Sequence, residues 1–191
     1  MTYLTESIVL KKNYCGDYDR QYVILTRELG KITAVARSAN KINSKLASHL
    51  DFFSLNQVML ASGHVFYRLA GAKIIRANKN LSASLLKISL ASVFLEILDL
   101  LSVPNQPETL IFALAESCLS HLDQAGSFKE NIIVFNRHLF ELLSLTGYRP
   151  NLAGQKQAQL IALMVKIVET ASDKQVKSFD FLRHQLIGDQ I

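Results

Sequence analysis

The sequence predicts an α+β protein with a small five-stranded β-barrel at the N-terminus and an all-α helical domain after it. Short runs rich in Val, Ile, Tyr and Phe, separated by turn residues, fill the first part of the chain. From about residue 80 onward, apolar residues recur at helical spacing instead. Hydrophobic residues make up 49% of the 191 residues, which is enough to give each part a core. We therefore expect domains at residues 1–79 and 80–191.

Five strands are predicted in the first domain. Gly30, between the second and third strands, can supply the positive φ of a tight hairpin, and Gly63 is expected to do the same between the last two. A longer connection follows the third strand, which is typical of an OB barrel; an SH3-like barrel is the alternative. The predicted strands are Ser7–Lys12, Gln21–Arg27, Ile32–Arg37, Leu55–Ala61 and Val65–Ala70.

Four or five helices are predicted in the second domain. The first, over 81–102, is apolar on nearly all sides and is expected at the centre of that domain. Pro107 is expected to open the second helix, and Gly126 to close it. Gly147 marks the end of the third. The remaining predicted ranges are 128–146, 155–170 and 174–187.

Charge is distributed unevenly along the chain. The first 80 residues carry twelve Lys or Arg against five Asp or Glu, whereas the rest carries nine against eleven. A basic first part favours contact with a polyanion such as nucleic acid, and a slightly acidic second part favours a different partner. A solvated surface without a partner is the alternative.

Other features argue against membrane insertion, metal binding and catalysis. The N-terminus lacks a small-residue cleavage site, so we expect a cytoplasmic protein. The most apolar stretch, Leu81–Leu101, is interrupted by charged residues, which favours a buried helix over a membrane span. Cys15 and Cys118 form no CxxC pair, and the five histidines lack ligand spacing. No catalytic motif is present, so we expect a binding protein that is not an enzyme and holds no metal or other cofactor.

The N-terminal sequence resembles the start of RecO proteins, a family of bacterial recombination mediators, strand by strand. In that family a first strand with a basic end leads through an acidic turn to a second strand, and a Thr-x-x-x-Gly-basic hairpin leads to a third. The corresponding segments here are Val9–Lys12, Gly16–Arg20, Thr26 with Gly30 and Lys31, Val35–Arg37, Lys41, Ser44–Leu46, and Leu50 with Phe53–Leu55.

The helical half is also similar to that family. Arg137–Leu143 followed by Thr146–Leu152 resembles the family's helix that ends in Leu-Gly-Tyr-x-Pro-x-Leu, and Val176–Leu182 resembles its closing helix. Family members commonly carry a Cys pair after the Gly-Tyr-x-Pro segment, which opens a zinc ribbon. This chain reads Leu152–Gln157 there without a cysteine, so we interpret it as a short form that lacks the ribbon.

Two further departures concern the basic loop after the third strand. The family's glycine at the start of that loop is Ser38 here, and neutral residues replace part of the basic sequence, at Asn40, Ile42 and Asn43. We therefore expect weaker DNA affinity than is usual for the family.

The resemblance implies that the barrel binds single-stranded DNA and promotes annealing, and that the protein works with RecR and single-strand-binding protein to load RecA. Cations on the strands and loops of the barrel can contact phosphates, with Tyr18 and Tyr22 as stacking platforms. Alternatively, individual lysines are only solvated, and Tyr22 faces the barrel core. The predicted nucleic-acid-binding residues are Lys11, Lys12, Arg20, Arg27, Lys31, Arg37, Lys41 and Lys45.

The resemblance and the residue pattern together place a second site on the third helix, where Arg137 is expected to receive the acidic C-terminal tail of single-strand-binding protein. Such a tail ends in an aromatic residue and a carboxylate, and therefore needs an apolar pocket with a cation at its rim. The family's second arginine is Asn136 here. The alternative is an exposed Arg137 paired with Glu130 or Glu141. The apolar neighbours expected to accept the ring are Ile132, Ile133 and Phe140.

Two other functions fit the same pattern of a basic barrel and a helical domain. One is a protein-interaction adaptor that has lost DNA binding and works through its helical half. The other is an OB protein associated with the ribosome or with transfer RNA.

Overall fold

The computed structural model describes residues 1–37, 50–150 and 157–188, and it divides into two compact units. The barrel unit consists of Met1–Ala77 and Ser102–Phe112; the helical unit consists of Asn78–Leu101 and the chain from Ala113 onward. Residues 102–112, which we expected in the helical domain, thus cluster with the barrel.

Five strands form a closed barrel in the order β1-β2-β3-β5-β4. β3 and β5 run parallel, and the other neighbouring strands run antiparallel. A five-stranded barrel of this topology is an OB fold, so the predicted fold class is confirmed. The strands are β1 (Thr2–Cys15), β2 (Asp19–Thr26), β3 (Gly30–Ala36), β4 (Leu55–Ala61) and β5 (Tyr67–Arg76).

β1 is long enough to pair with two neighbours in succession. Its first half pairs with β4 and its second half with β2, while Ser7 and Ile8 pair with both. The register against β2 shifts between Val9 and Lys11. An irregularity of this kind bends a strand, which lets β1 curve around the barrel. The sequence predicted only the middle of this strand, because its exposed ends do not alternate regularly.

The β2–β3 hairpin closes as the sequence predicted. Gly30 has a φ of 70°, and the Thr26 hydroxyl donates to the Gly30 carbonyl at 2.9 Å. The expectation for Gly63 was wrong, because its φ is not positive. Gly63 is required there for space instead, since a Cβ at this position would overlap the carbonyl oxygen of Phe66.

The barrel core consists of side chains that point inward from alternate strand positions. Tyr22, Ile24, Ile32 and Ala34 are all buried in it, from the paired strands β2 and β3. This period of two is what the apolar alternation of the sequence predicts. Leu50, which precedes β4, is fully buried in the same core.

Six helices follow in the described part of the chain. α2 packs against α4, α5 and α6 and buries residues on several sides, which confirms the expected central helix. α3 begins two residues after Pro107, so the expectation that this proline occupies the first helical turn was wrong. The helices are α1 (Lys79–Ser82), α2 (Leu85–Leu101), α3 (Thr109–Gln124), α4 (Phe128–Leu145), α5 (Gln157–Ser172) and α6 (Lys177–Gly188).

The predicted first helix is divided into α1 and α2, and Asp123 near the end of α3 contacts both. Its carboxylate accepts from the Leu81 backbone N–H at 2.9 Å, and its carbonyl accepts from the Lys87 ammonium at 2.8 Å. Lys87 is buried, so this bond provides a partner for a charge that would otherwise be costly to desolvate. In the described ranges, no helix is both long and apolar enough to cross a membrane.

Candidate nucleic-acid interface

Of the cations predicted to bind DNA, those in the described part of the chain do not form one cluster on the barrel. Arg20 begins the β2–β3 ladder opposite Ala36, whereas the chain reaches Arg27 only after the ladder ends at Thr26. Seven residues of extended chain separate the two arginines by about 20 Å. Arg20 and Arg37 therefore lie toward one end of the hairpin, and Arg27 and Lys31 lie toward the other.

A cavity of about 500 Å³ opens at the Arg37 end of the barrel. It lies where β3 runs parallel to β5, with Val35 opposite Arg68, and it extends along the connection between β4 and β5. Arg68 is exposed, and so is Arg37. The polar and aromatic side chains that line this cavity are Asp19, Arg37, Ser62, His64, Phe66, Tyr67 and Arg68.

Aromatic rings accompany the cations at this end. Phe66 is 45% exposed and lies in the cavity wall. Tyr18 and Tyr14 are exposed in and beside the β1–β2 turn, and the Arg20 guanidinium lies 5.6 Å from the centre of the Tyr14 ring. Exposed rings beside cations can stack on bases while the cations bind phosphates.

Tyr22 is not a stacking platform, because it is fully buried in the barrel core. Burial raises the pKa of its hydroxyl, and the neighbouring Arg20 opposes that rise. The core alternative from the sequence is therefore confirmed, and Tyr18 is the exposed member of the predicted pair.

Arg27 is engaged within the barrel unit. Its guanidinium forms an ion pair with Glu6 at 2.6 Å and lies 4.6 Å from the centre of the Phe112 ring. Its backbone N–H donates to the Glu6 carbonyl at 3.1 Å. These contacts connect the β2 terminus to β1 and to the segment Ser102–Phe112, which is a structural role. Lys31 lies beside the same segment, where its carbonyl accepts from the Asn105 N–H at 2.8 Å.

Lys12 is also partly occupied by neighbours. Its ammonium lies 4.4 Å from the centre of the Phe52 ring and 3.6 Å from an Asp51 oxygen. Desolvation lowers the pKa of Lys12, while Asp51 opposes the shift. Lys11 lies nearby on β1 with an exposed side chain. Lys41 and Lys45 fall outside the described residues.

Three residues of this cavity, His64, Phe66 and Arg68, were not predicted from the sequence. The sequence shows basic and aromatic residues near the start of β5. It does not show that β3 pairs in parallel with β5, and this pairing places Arg68 beside Arg37 at the cavity.

The helical unit has a cavity of about 310 Å³ at Arg137. Arg137 and Ile133 are exposed on α4 and line it together, whereas the expected neighbour Ile132 is buried in the core. Among the described residues no ion pair joins Arg137 to Glu130 or Glu141. The other lining residues are His121, Gln124, Ala125, Glu130, Val134 and His138.

Asn136, at the position of the family's second arginine, does not line the Arg137 cavity. It is buried, and its side-chain amide donates to the Gln157 carbonyl at 3.1 Å and to the Gln157 side chain at 2.6 Å. This residue therefore connects α4 to α5.

Two family models match the chain. One is described as Recombination protein O N terminal and matches residues 1–78; the other is described as Recombination protein O C terminal and matches residues 82–155. The chain belongs to the RecO family. The N-terminal RecO match covers all five barrel strands, and the C-terminal RecO match covers α2 to α4.

Curated RecO relatives agree with these matches. "DNA repair protein RecO" of Dehalococcoides mccartyi is 32% identical over 148 residues, which are 78% of this chain and 57% of that protein. The protein of the same name from a Thermoanaerobacter species is 28% identical over 78% of this chain and 59% of its own length. One from a Synechococcus species is 31% identical over 79% of this chain and 53% of its own length. The chain thus spans a little over half the length of these relatives.

Proposed function

We propose that this protein acts in DNA repair and recombination by binding single-stranded DNA at the Arg37 end of its barrel. The observation that carries the proposal is the cavity where Arg37 and Arg68 lie beside Phe66. Curated relatives bear the name of a DNA repair protein, which supports the same role.

The composition of this cavity suits a flexible single strand. Two arginines and His64 provide phosphate contacts, and the exposed Phe66 ring provides a face on which a base can stack. Stacking tolerates any base, and no base-reading motif occurs in the sequence, so binding should depend little on sequence.

A double charge reversal, Arg37→Glu with Arg68→Glu, tests the site. Each lost phosphate contact costs on the order of 1 kcal/mol, so affinity for single-stranded DNA should fall about thirtyfold or more. Fluorescence anisotropy with labelled oligothymidylate at fixed salt measures the change.

The matched control is Lys166→Glu with Lys174→Glu, which changes the net charge equally on exposed positions of the helical unit. This control should bind almost like the parent. If the arginine variant binds like the parent, the cavity is not the DNA site. If the parent itself does not bind DNA, the proposal is wrong, and the adaptor and the RNA-associated OB protein remain as alternatives.

We also propose that the Arg137 cavity receives the acidic C-terminal tail of single-strand-binding protein. The exposed Arg137 offers a fixed cation for the terminal carboxylate, and Ile133 offers apolar surface for the aromatic ring beside it. Because buried Asn136 adds no second cation to this cavity, the contact should be weaker than one with two arginines.

Replacement of Arg137 by Ala should weaken binding of a tail peptide by at least about tenfold, since a charged hydrogen bond contributes about 1.5–3 kcal/mol. Arg183→Ala, on the exposed surface of α6, is the control and should bind the peptide normally. Calorimetric titration of the peptide into each variant measures the two affinities. Equal affinities for Arg137→Ala and Arg183→Ala would refute the assignment of the peptide site to the Arg137 cavity.

Strand annealing, cooperation with RecR and loading of RecA follow as proposals from family membership. In this view the protein holds a single strand and contacts partners without catalysing a chemical step. An annealing assay with complementary oligonucleotides coated by single-strand-binding protein tests this role. The Arg37→Glu, Arg68→Glu variant should anneal more slowly than the parent.

A further inference from the structure

Two histidines that line the Arg137 cavity, His121 and His138, meet the Ser117 side chain between α3 and α4. The Ser117 hydroxyl lies 3.2 Å from Nδ1 of His121 and 3.3 Å from Nε2 of His138. The two imidazole nitrogens are themselves 3.3 Å apart. The three atoms therefore form a nearly equilateral triangle.

Hydrogen bonding leaves one side of this triangle without a proton. Nδ1 of His138 lies 2.7 Å from the Val134 carbonyl, so its proton is donated there and Nε2 of the neutral ring is an acceptor. Only two protons, one on Ser117 and one on His121, remain for three contacts. At least one contact therefore has no proton of its own.

With its Nδ1 proton directed to the Val134 carbonyl, the His138 ring presents the Nε2 lone pair on the side of Ser117 and His121. Glu130 and Arg137 also line this cavity.

The separations match those of ligands around a tetrahedral metal ion. Ligand atoms about 2.0–2.1 Å from a zinc ion at tetrahedral angles lie about 3.3 Å from one another. The Val134 carbonyl also orients the His138 ring as carbonyls commonly orient zinc-bound imidazoles. We propose that His121, His138 and Ser117 form an exchangeable site for Zn²⁺ or a similar transition-metal ion.

The site differs from a structural zinc centre. In the described residues, no group of three or more His, Cys, Asp or Glu side chains is positioned to hold a metal. Two imidazoles and a hydroxyl therefore leave the remaining coordination to water, which favours reversible binding. From the sequence we expected no metal, because the histidines lack ligand spacing, but helix packing brings His121 and His138 together.

Titration of Zn²⁺ into the untagged full chain, followed by calorimetry, tests the site without DNA or peptide. The outcome is therefore independent of the proposed function. The parent should bind one ion, and His121→Ala should weaken binding by about tenfold or more. His121 is exposed, so its removal should leave the circular dichroism spectrum unchanged. Mg²⁺, which prefers oxygen ligands, should not bind there.

The matched control is His184→Ala, on the exposed surface of α6, which should bind Zn²⁺ like the parent. Ser117→Ala should weaken binding less than His121→Ala, because a neutral hydroxyl is a poorer ligand than imidazole. Absence of binding by the parent, unchanged affinity in His121→Ala, or an equal loss in His184→Ala would each overturn the proposal and leave a hydrogen-bonded cluster only.

Discussion

Gly16 and Gly30 occupy the turns on either side of β2, and both have positive φ angles, of 73° and 70°. Their surroundings differ. No atom lies within 4 Å of a Cβ built on Gly16, whereas a Cβ on Gly30 would overlap the carbonyl of Gln106. Gly30 therefore permits both the turn and the close approach of the segment Ser102–Phe112.

This contrast predicts different costs for the same substitution. Gly30→Ala should lower the free energy of unfolding by at least about 2 kcal/mol, because it adds overlap with backbone to the cost of a positive φ. Gly16→Ala should cost about 1 kcal/mol, from the positive φ alone. Denaturant unfolding measures both. Equal costs for the two substitutions would mean that the overlap of the added Cβ with Gln106 does not lower the free energy of unfolding.

α4 has the best-defined ends of the helices. At its start the Ser127 hydroxyl accepts from the Glu130 N–H, and Glu130 accepts from the Ser127 N–H, which is a capping box. At its end Tyr148 N–H donates to the Leu143 carbonyl at 2.7 Å and Gly147 N–H to the Ser144 carbonyl at 3.3 Å. Gly147 has a φ of 91°, so these two bonds form a Schellman motif.

Loss of the N-terminal cap should destabilise the helical unit. Ser127→Ala should lower its free energy of unfolding by about 1 kcal/mol, because the Glu130 N–H loses its acceptor. Ser144→Ala is the control, since that exposed hydroxyl only bonds back to the Phe140 carbonyl within the helix. Thermal unfolding compares the two variants. Equal melting temperatures would mean that the cap does not stabilise the helical unit.

The same cap has a pH dependence. The Gly126 and Ser127 N–H groups lower the pKa of Glu130, so its carboxylate stabilises the folded state at neutral pH. That contribution is lost as the pH falls through the folded pKa, since protonation then occurs in both states. Melting temperatures of the parent and of Glu130→Gln should therefore converge on acidification. A constant difference across that range would contradict this interpretation.

At the level of elements, features set by local sequence were predicted, whereas pairings between distant segments were not. The hairpin at Gly30, the helix end at Gly147 and the central helix were predicted, because each depends on turn chemistry or on a periodic apolar pattern within a few residues. The parallel pairing of β3 with β5 was not, and neither was the meeting of His121 with His138. Such contacts join residues far apart in the chain, where one sequence contains no register information.

The net charge of the whole chain provides a second way to attract DNA, since a basic protein attracts DNA without any dedicated site. The formal net charge is +5, and the barrel sequence carries the excess of cations. The strength of diffuse attraction depends on net charge, whereas a defined site neutralises a fixed number of phosphates. The dependence of affinity on salt distinguishes the two.

For single strands, each phosphate contact adds about 0.7 to the slope of log affinity against log salt concentration. Arg37→Glu with Arg68→Glu should therefore lower that slope by up to about 1.4, as two contacts are lost. Lys166→Glu with Lys174→Glu changes the net charge equally and should leave the slope almost unchanged. Anisotropy titrations across a salt series measure all three proteins. Equal slopes for the two variants, both below the parent, would mean that net charge rather than the barrel cavity attracts the DNA.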